Sequence, residues 1–183
     1  GPDVAKVLRI GSAQVGFLIC EDGWNDAGAD YAHNPFARMA DASPDVVISI
    51  NASPSHIGKR EQRHQVFGDA ARRHGLPIVY VNQIGGHDQI VYDGASFAVE
   101  PDAGVVFEAQ RFEEDVRTLQ LVDGRFVAAD GSALQPVPQA GLPTMAFYRQ
   151  QIVLGLRDYA RRCGFSQVVV GSDNHRGGRL AAE

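Results

Sequence analysis

Residues 45–81 read DVVISINASPSHIGKREQRHQVFGDAARRHGLPIVYV. Asp45–Ile50 is dense in β-branched residues and reads as a strand that stops at Asn51. From Lys59 to His74 there is no proline, and Val66, Phe67, Ala70 and Ala71 make an apolar strip opposite Arg60, Glu61, Arg72 and Arg73. That spacing predicts an amphipathic helix, which Gly75 would stop. Leu76–Val81 is a second buried strand. Strand, loop, helix and strand in this order spell a right-handed βαβ unit, and the fold class is therefore α/β.

Working outward, Val15–Cys20 is a continuous apolar run ahead of the acidic pair Glu21-Asp22, and reads as another buried strand. Residues 32–42, with Phe36, Met39 and Ala40 at helical spacing, predict a short helix ended by Ser43-Pro44. Past Gly85-Gly86 the pattern changes to short strands near Ile90–Val91, Ala95–Glu100, Val105–Gln110 and Val116–Val122. Turn signals at Asp93-Gly94, Asp102–Gly104 and Asp123-Gly124 separate them. Residues 123–143, with Pro136, Pro138 and Pro143, read as a linker. A helix capped by Thr144 follows, its Ile152, Leu156, Tyr159 and Cys163 on one face, ending at Gly164, and Gln167–Val170 reads as a strand. The expected division is 1–122 as the first domain, 123–143 as linker, 144–171 as the opening of a second domain and 172–183 as a divergent tail.

Composition narrows the function classes. With 44% hydrophobic residues over 183 positions the chain can fill a core, and a formal net charge of −5 argues against a nucleic-acid or anionic-membrane surface. No apolar run approaches the ~18 residues of a membrane span, and there is no secretory leader pattern. Two distant cysteines, Cys20 and Cys163, suggest neither a disulfide framework nor a zinc cluster. A cytoplasmic enzyme is the expectation. The chain begins at Gly1-Pro2 with no initiator methionine, which fits an artificial start as well as a cut inside a longer protein.

Two stretches carry chemistry. In Ile19-Cys-Glu-Asp-Gly-Trp24 a cysteine enters a sharp turn at the end of a strand, where its sulfur can meet a cleft and backbone N–H groups can face an oxyanion. A lone cysteine there is otherwise a small buried hydrophobe, and the turn by itself leaves both readings open. Between strand and helix, Asn51–Arg63 combines small hydroxylated residues with Lys59, Arg60 and Arg63 in the first helical turns. Positive side chains there oppose the helix dipole, so they suit a pocket for a carboxylate-bearing ligand as well as a solvated helix start. Asp22 is placed to cap the turn. His33, His56, His64, His74, His87 and His175 lack paired ligand spacing and are expected on helix surfaces or loops, with His56 a candidate to line the pocket.

Ile19–Trp24, Asn51–Arg63, Val79-Tyr-Val-Asn-Gln-Ile-Gly-Gly86 and Tyr92-Asp-Gly-Ala-Ser-Phe97, in this order, resemble the nitrilase-type glutaminase domain of the glutamine-dependent NAD synthetase family. The resemblance covers residues 4–122 closely. It continues through Phe147–Tyr159 and Gly164–Gly171, which are similar to the opening of that family's ATP-dependent synthetase domain. The implied fold is a nitrilase-like four-layer αββα sandwich, about half of it present, followed by the first helix and strand of an α/β ATP-pyrophosphatase-type domain. The implied activity is hydrolysis of the glutamine amide through a cysteine thioester, supplying ammonia for ATP-dependent amidation of deamido-NAD. Cys20 matches the family's nucleophile, and Ser53 and Lys59 match positions that hold the substrate's amino-acid end. Glu21 is expected to support the turn rather than act as the base, because it points to the opposite face.

The resemblance also implies a Cys-Glu-Lys triad whose glutamate and lysine would precede Gly1, so that the chain is expected to depend on the rest of a longer protein and to be inactive alone. Gly171–Glu183 does not fit the family's pyrophosphate loop, and Gly177-Gly178 is not one. No cofactor is therefore expected in this segment, while ATP, magnesium and deamido-NAD are implied for the synthetase domain. Expected partners are glutamine, the remaining protein and further copies of the chain. An amidase or carbamoylase of the nitrilase superfamily, or a non-catalytic fragment, is the alternative.

Overall fold

A computed structural model describes residues 6–26, 32–169 and 171. Strands β1 (Val7–Ile10) and β2 (Ala13–Ile19) form an antiparallel hairpin around Gly11-Ser12. Helix α1 (Pro35–Ala42) starts where the Asn34 side chain accepts the Ala37 N–H at 3.1 Å and ends at Ser43, whose φ of +49° turns the chain back. The unit read from residues 45–81 is present as β3 (Val46–Asn51), α2 (Lys59–His74) and β4 (Ile78–Asn82). β2, β3 and β4 lie parallel, as the βαβ rule requires.

Beyond β4 come a small hairpin of β5 (Ile84–His87) and β6 (Ile90–Asp93), then β7 (Phe97–Glu100) and β8 (Gly104–Glu108). β7 and β8 extend the sheet antiparallel, to a strand order of β1-β2-β3-β4-β7-β8. β9 (Leu119–Val122) and β10 (Arg125–Ala128) make a separate hairpin. Helix α3 (Thr144–Arg162) closes the described chain.

Side chains alternate across the sheet, and each face has its own cover. On one face α1 and α2 bury Leu18, Val47, Ile78, Tyr80, Phe97 and Val99 against Phe36, Met39 and Phe67. On the other, the β9–β10 hairpin covers Ala98 and Val106 with Phe126, Leu119 and Leu121. The described residues thus hold one sheet of the expected sandwich, with its helices on one side.

Three expectations change. Residues 123–143 are not a free linker: they contain β10, and the Val137 N–H donates to the Val105 carbonyl at 2.8 Å. Gln167–Val169 forms no strand, because no described strand lies beside it and Val169 is fully exposed; Val170 and the tail 172–183 lie outside the described residues. Thr144 is the first residue of α3 rather than its cap, and the preceding Pro143 offers no side-chain acceptor. The helix packs on the strands that precede it. Phe147 and Leu154 bury against Phe112, Ile84 and Val91, and Gly86 meets Gly155 so closely that a Cβ on Gly86 would lie 2.9 Å from the Gly155 Cα.

Candidate active site

Parallel register sets Ile19 beside Ile50, so the carboxyl ends of β2 and β3 open together. Such strand ends are where α/β sheets place ligands. Cys20 follows β2 directly, half-buried, at φ +48°, a conformation that L-residues other than Asn and Asp seldom adopt. It begins a 3-10 turn, Cys20–Gly23, tied at both ends: the Ile19 N–H donates to Asp22 Oδ2 at 3.0 Å and the Trp24 N–H to the Glu21 carbonyl at 3.0 Å. Asp22 therefore caps the turn as the sequence suggests. Gly23 is required because α2 approaches here; a Cβ would lie 2.6 Å from the Phe67 ring.

Ser53 lies two residues past β3 with its other polar groups engaged. Its N–H donates to Asn82 Oδ1 at 2.9 Å, its carbonyl accepts from Arg63 Nη2 at 2.8 Å, and its hydroxyl accepts from Arg63 Nε at 3.2 Å. Arg63 is held in turn by Asp93 Oδ1 at 2.8 Å, and Asp93 Oδ2 accepts from Arg111 Nη2 at 3.1 Å. Both Arg63 and Asp93 are 1% exposed, so this ion pair belongs to the scaffold. Tyr80, fully buried and stacked on Phe97 with ring centres 4.7 Å apart, has no hydrogen-bond partner for its hydroxyl among the described residues, and burial pushes its pKa up.

Lys59, first residue of α2, is half-buried with its Nζ 3.8 Å from the centre of the Trp24 ring, and it donates to Gln62 Oε1 at 3.2 Å. Burial first, then Arg63, lowers its pKa, against the opposing pull of Glu21. Of the three cations read at this helix start, Lys59 alone faces the turn. Arg60 is turned inward onto Glu108, and Arg63 onto Asp93 and Ser53. Glu21 is exposed.

Cys20, Ser53 and Lys59 thus share one end of the sheet, with Cys20 and Lys59 half-buried and Ser53 buried. Of the cavities lined by described residues, one of about 440 Å³ lies on the opposite sheet face against β9, and neither it nor three smaller ones is lined by any of the three. His56 is exposed and touches only the Ile57 carbonyl. Two histidines depart from the surface expectation: His64 is 5% exposed, and His74 is half-buried against Asp26. Asn82 supports Ser53 directly, and Asp93 and Arg111 support it through Arg63; none of the three was given a site role from the sequence, and only the Lys59–Arg63 spacing, one helical turn, hinted that Arg63 shares this side of α2.

A family model described as carbon-nitrogen hydrolase matches residues 2–126, across the whole of this site. The chain belongs to the carbon–nitrogen hydrolase family. Among curated proteins, the chain is 38% identical over 173 residues to the glutamine-dependent NAD(+) synthetase of Rhodobacter capsulatus and 33% identical over 166 residues to that of Synechocystis. These alignments cover 93% and 87% of the chain and 29% of each relative. A solved structure of glutamine-dependent NAD+ synthetase from Acinetobacter baumannii superposes with a TM-score of 0.74 at 31% identity, over 91% of this chain and 30% of that one. The chain therefore spans about three-tenths of the length of the proteins it matches. The nitrilase-type fold read from the sequence holds for the sheet and its helices.

Proposed function

We propose that this chain carries the nucleophile and part of the substrate site of a glutaminase that supplies ammonia to NAD synthesis. The observation that carries the reading is the strained, half-buried Cys20 at the end of β2, opening beside Ser53 and Lys59. The Cys20 thiolate attacks the side-chain carboxamide carbon of glutamine, ammonia leaves after protonation, and a water molecule cleaves the resulting thioester to release glutamate and the thiol. Ser53 and Lys59 hold the amino-acid end of the substrate. A general base and an oxyanion-stabilising lysine come from segments other than those assigned here.

Ammonia then serves an ATP-dependent amidation of deamido-NAD in the cytoplasm. Among the described residues no group of three His, Cys, Asp or Glu is arranged to hold a metal ion. Among them, too, no helix is long and apolar enough to cross a membrane.

The test compares the 183-residue chain with a complete enzyme carrying the same segment. The expected result is ammonia release from glutamine by the complete enzyme, abolished by Cys20→Ala, and none by the chain alone, because groups that act as a unit each cost orders of magnitude when lost. Steady release by the purified chain, or release that survives Cys20→Ala, would overturn the proposal.

A further inference from the structure

We infer that Trp24 is a positioning residue for substrate binding, a ring that fixes the Lys59 ammonium at a set place relative to the Cys20 thiol; this rests on the reading of Cys20 and Lys59 proposed above. Trp24 lies in the turn that Cys20 begins, four residues on. Two residues of α2, about two helical turns apart, hold it: Phe67 meets it edge to face, with ring centres 6.1 Å apart at 88°, and Lys59 places its Nζ 3.8 Å from the ring centre.

A cation in the first turn of a helix is disfavoured by the helix dipole, and burial and Arg63 disfavour this one further. The face of an indole ring, electron-rich, offsets that where it stands. Among the described residues the ammonium donates only to Gln62, which leaves two N–H groups for an acceptor from outside. The ligand class that fits is a carboxylate. Because the ring and the thiol share one short turn, the stack ties the position of that carboxylate to the position of the reacting sulfur. Without the ring the ammonium regains its side-chain freedom, and the first property to suffer is binding, not the chemistry at sulfur.

The chain has a single tryptophan and only two lysines, Lys6 and Lys59, which makes the stack directly observable. Reductive methylation with 13C-formaldehyde labels both lysines and keeps their charge. The Lys59 methyl resonance of the 183-residue chain is expected upfield of that of Lys6 through the ring current, moving to the Lys6 position in Trp24→Leu and part of the way in Trp24→Phe. In the complete enzyme, Trp24→Leu is expected to raise the KM for glutamine about tenfold with kcat within about threefold, whereas Trp24→Phe stays near the wild type. Lys59→Met should raise KM as far, and the double variant Trp24→Leu/Lys59→Met no further. A Lys59 resonance at the Lys6 position in the unmodified sequence, or additive KM effects in the double variant, would overturn the positioning role alone. Hydrolysis that survives Cys20→Ala overturns the reading of the site and the positioning role with it, while leaving the resonance shift in place.

Discussion

His64 lies on α2 one turn past Arg60, 5% exposed, with its ring edge-on to Phe97 at 4.8 Å and its Nε2 3.7 Å from Glu108. Among the described residues neither ring nitrogen has a hydrogen-bond partner. Burial lowers its pKa from 6.5 to about 4; Glu108 and Glu61 pull upward, Arg60 and Arg111 downward. The unfolded histidine takes a proton below about 6.5, while the folded one stays neutral until near 4. Unfolding in that window therefore binds a proton. The stabilisation is whole above pH 6.5 and drains away as the pH falls, by up to about 3 kcal/mol at pH 4. Urea midpoints at pH 7.5 and 4.5 check this: the drop should be smaller in His64→Leu, and an equal drop in both proteins would refute it. Residues like this one also mark the limit of what the sequence displays. That Cys20 and the segment holding Ser53 and Lys59 follow strand ends was legible in the sequence, while the roles of the three residues are what the family resemblance implies. The roles of Arg60 and Arg63 were not legible, since their carboxylate partners Glu108 and Asp93 lie 48 and 30 positions away. A helix-start cation reads the same whether it meets water or a buried acid.

At the scale of elements, α2 and the deciding βαβ unit emerged where periodicity placed them, with the helix at Lys59–His74 to the residue, because strand, helix and glycine stop agree with one another. The elements missed are those whose local sequence argues against them. β5 contains Gly85-Gly86 and exists because bare backbone can meet α3, whose Asp158 accepts the Gly86 N–H at 2.8 Å. β10 hides in a stretch whose prolines and glycines spell linker, yet Phe126 is 5% exposed and its N–H donates to Glu100. The rest of that stretch is pinned by Arg60, which binds Glu108 through Nε at 2.8 Å and donates to the carbonyls of Gln139 at 3.2 Å and Pro138 at 3.0 Å. One guanidinium thus ties α2, β8 and the strap together. Arg60→Met would leave Glu108 buried without its partner and the strap without its anchor, a cost of about 3–5 kcal/mol. Hydrogen exchange should then rise across residues 130–142 before it rises in β3 or β4. Uniform acceleration over the whole sheet would show instead that the strap and the sheet open as one unit.

For the whole molecule the decisive asymmetry is between the two faces of the sheet. Parallel strands are ordinarily covered on both sides, since both faces read as apolar. Here α1 and α2 cover one face, and the β9–β10 hairpin covers only part of the other. Register lines up Ile19, Ile50 and Val81 as direct neighbours across β2, β3 and β4, and these side chains are 54%, 45% and 40% exposed. Leu8 and Ile10 on β1, paired with Val15 and Ala13 nearer the other end of β2, add further exposed apolar area at 59% and 56%. A contiguous apolar stripe on flat β-structure is unstable in water and seeks another apolar face. Prepared alone, the 183-residue chain is expected to associate, eluting as a dimer or larger and binding a hydrophobic dye. Ile50→Lys sets a charge in the middle of the row, where solvent reaches it in the monomer but not across a sheet-to-sheet contact. That variant should shift to the monomer with its circular dichroism unchanged, because Ile50 contributes nothing to the helix-covered core. A sharply melting monomer of the unmodified chain, silent to the dye, would mean that the stripe is content in water and that association is not the consequence of this face.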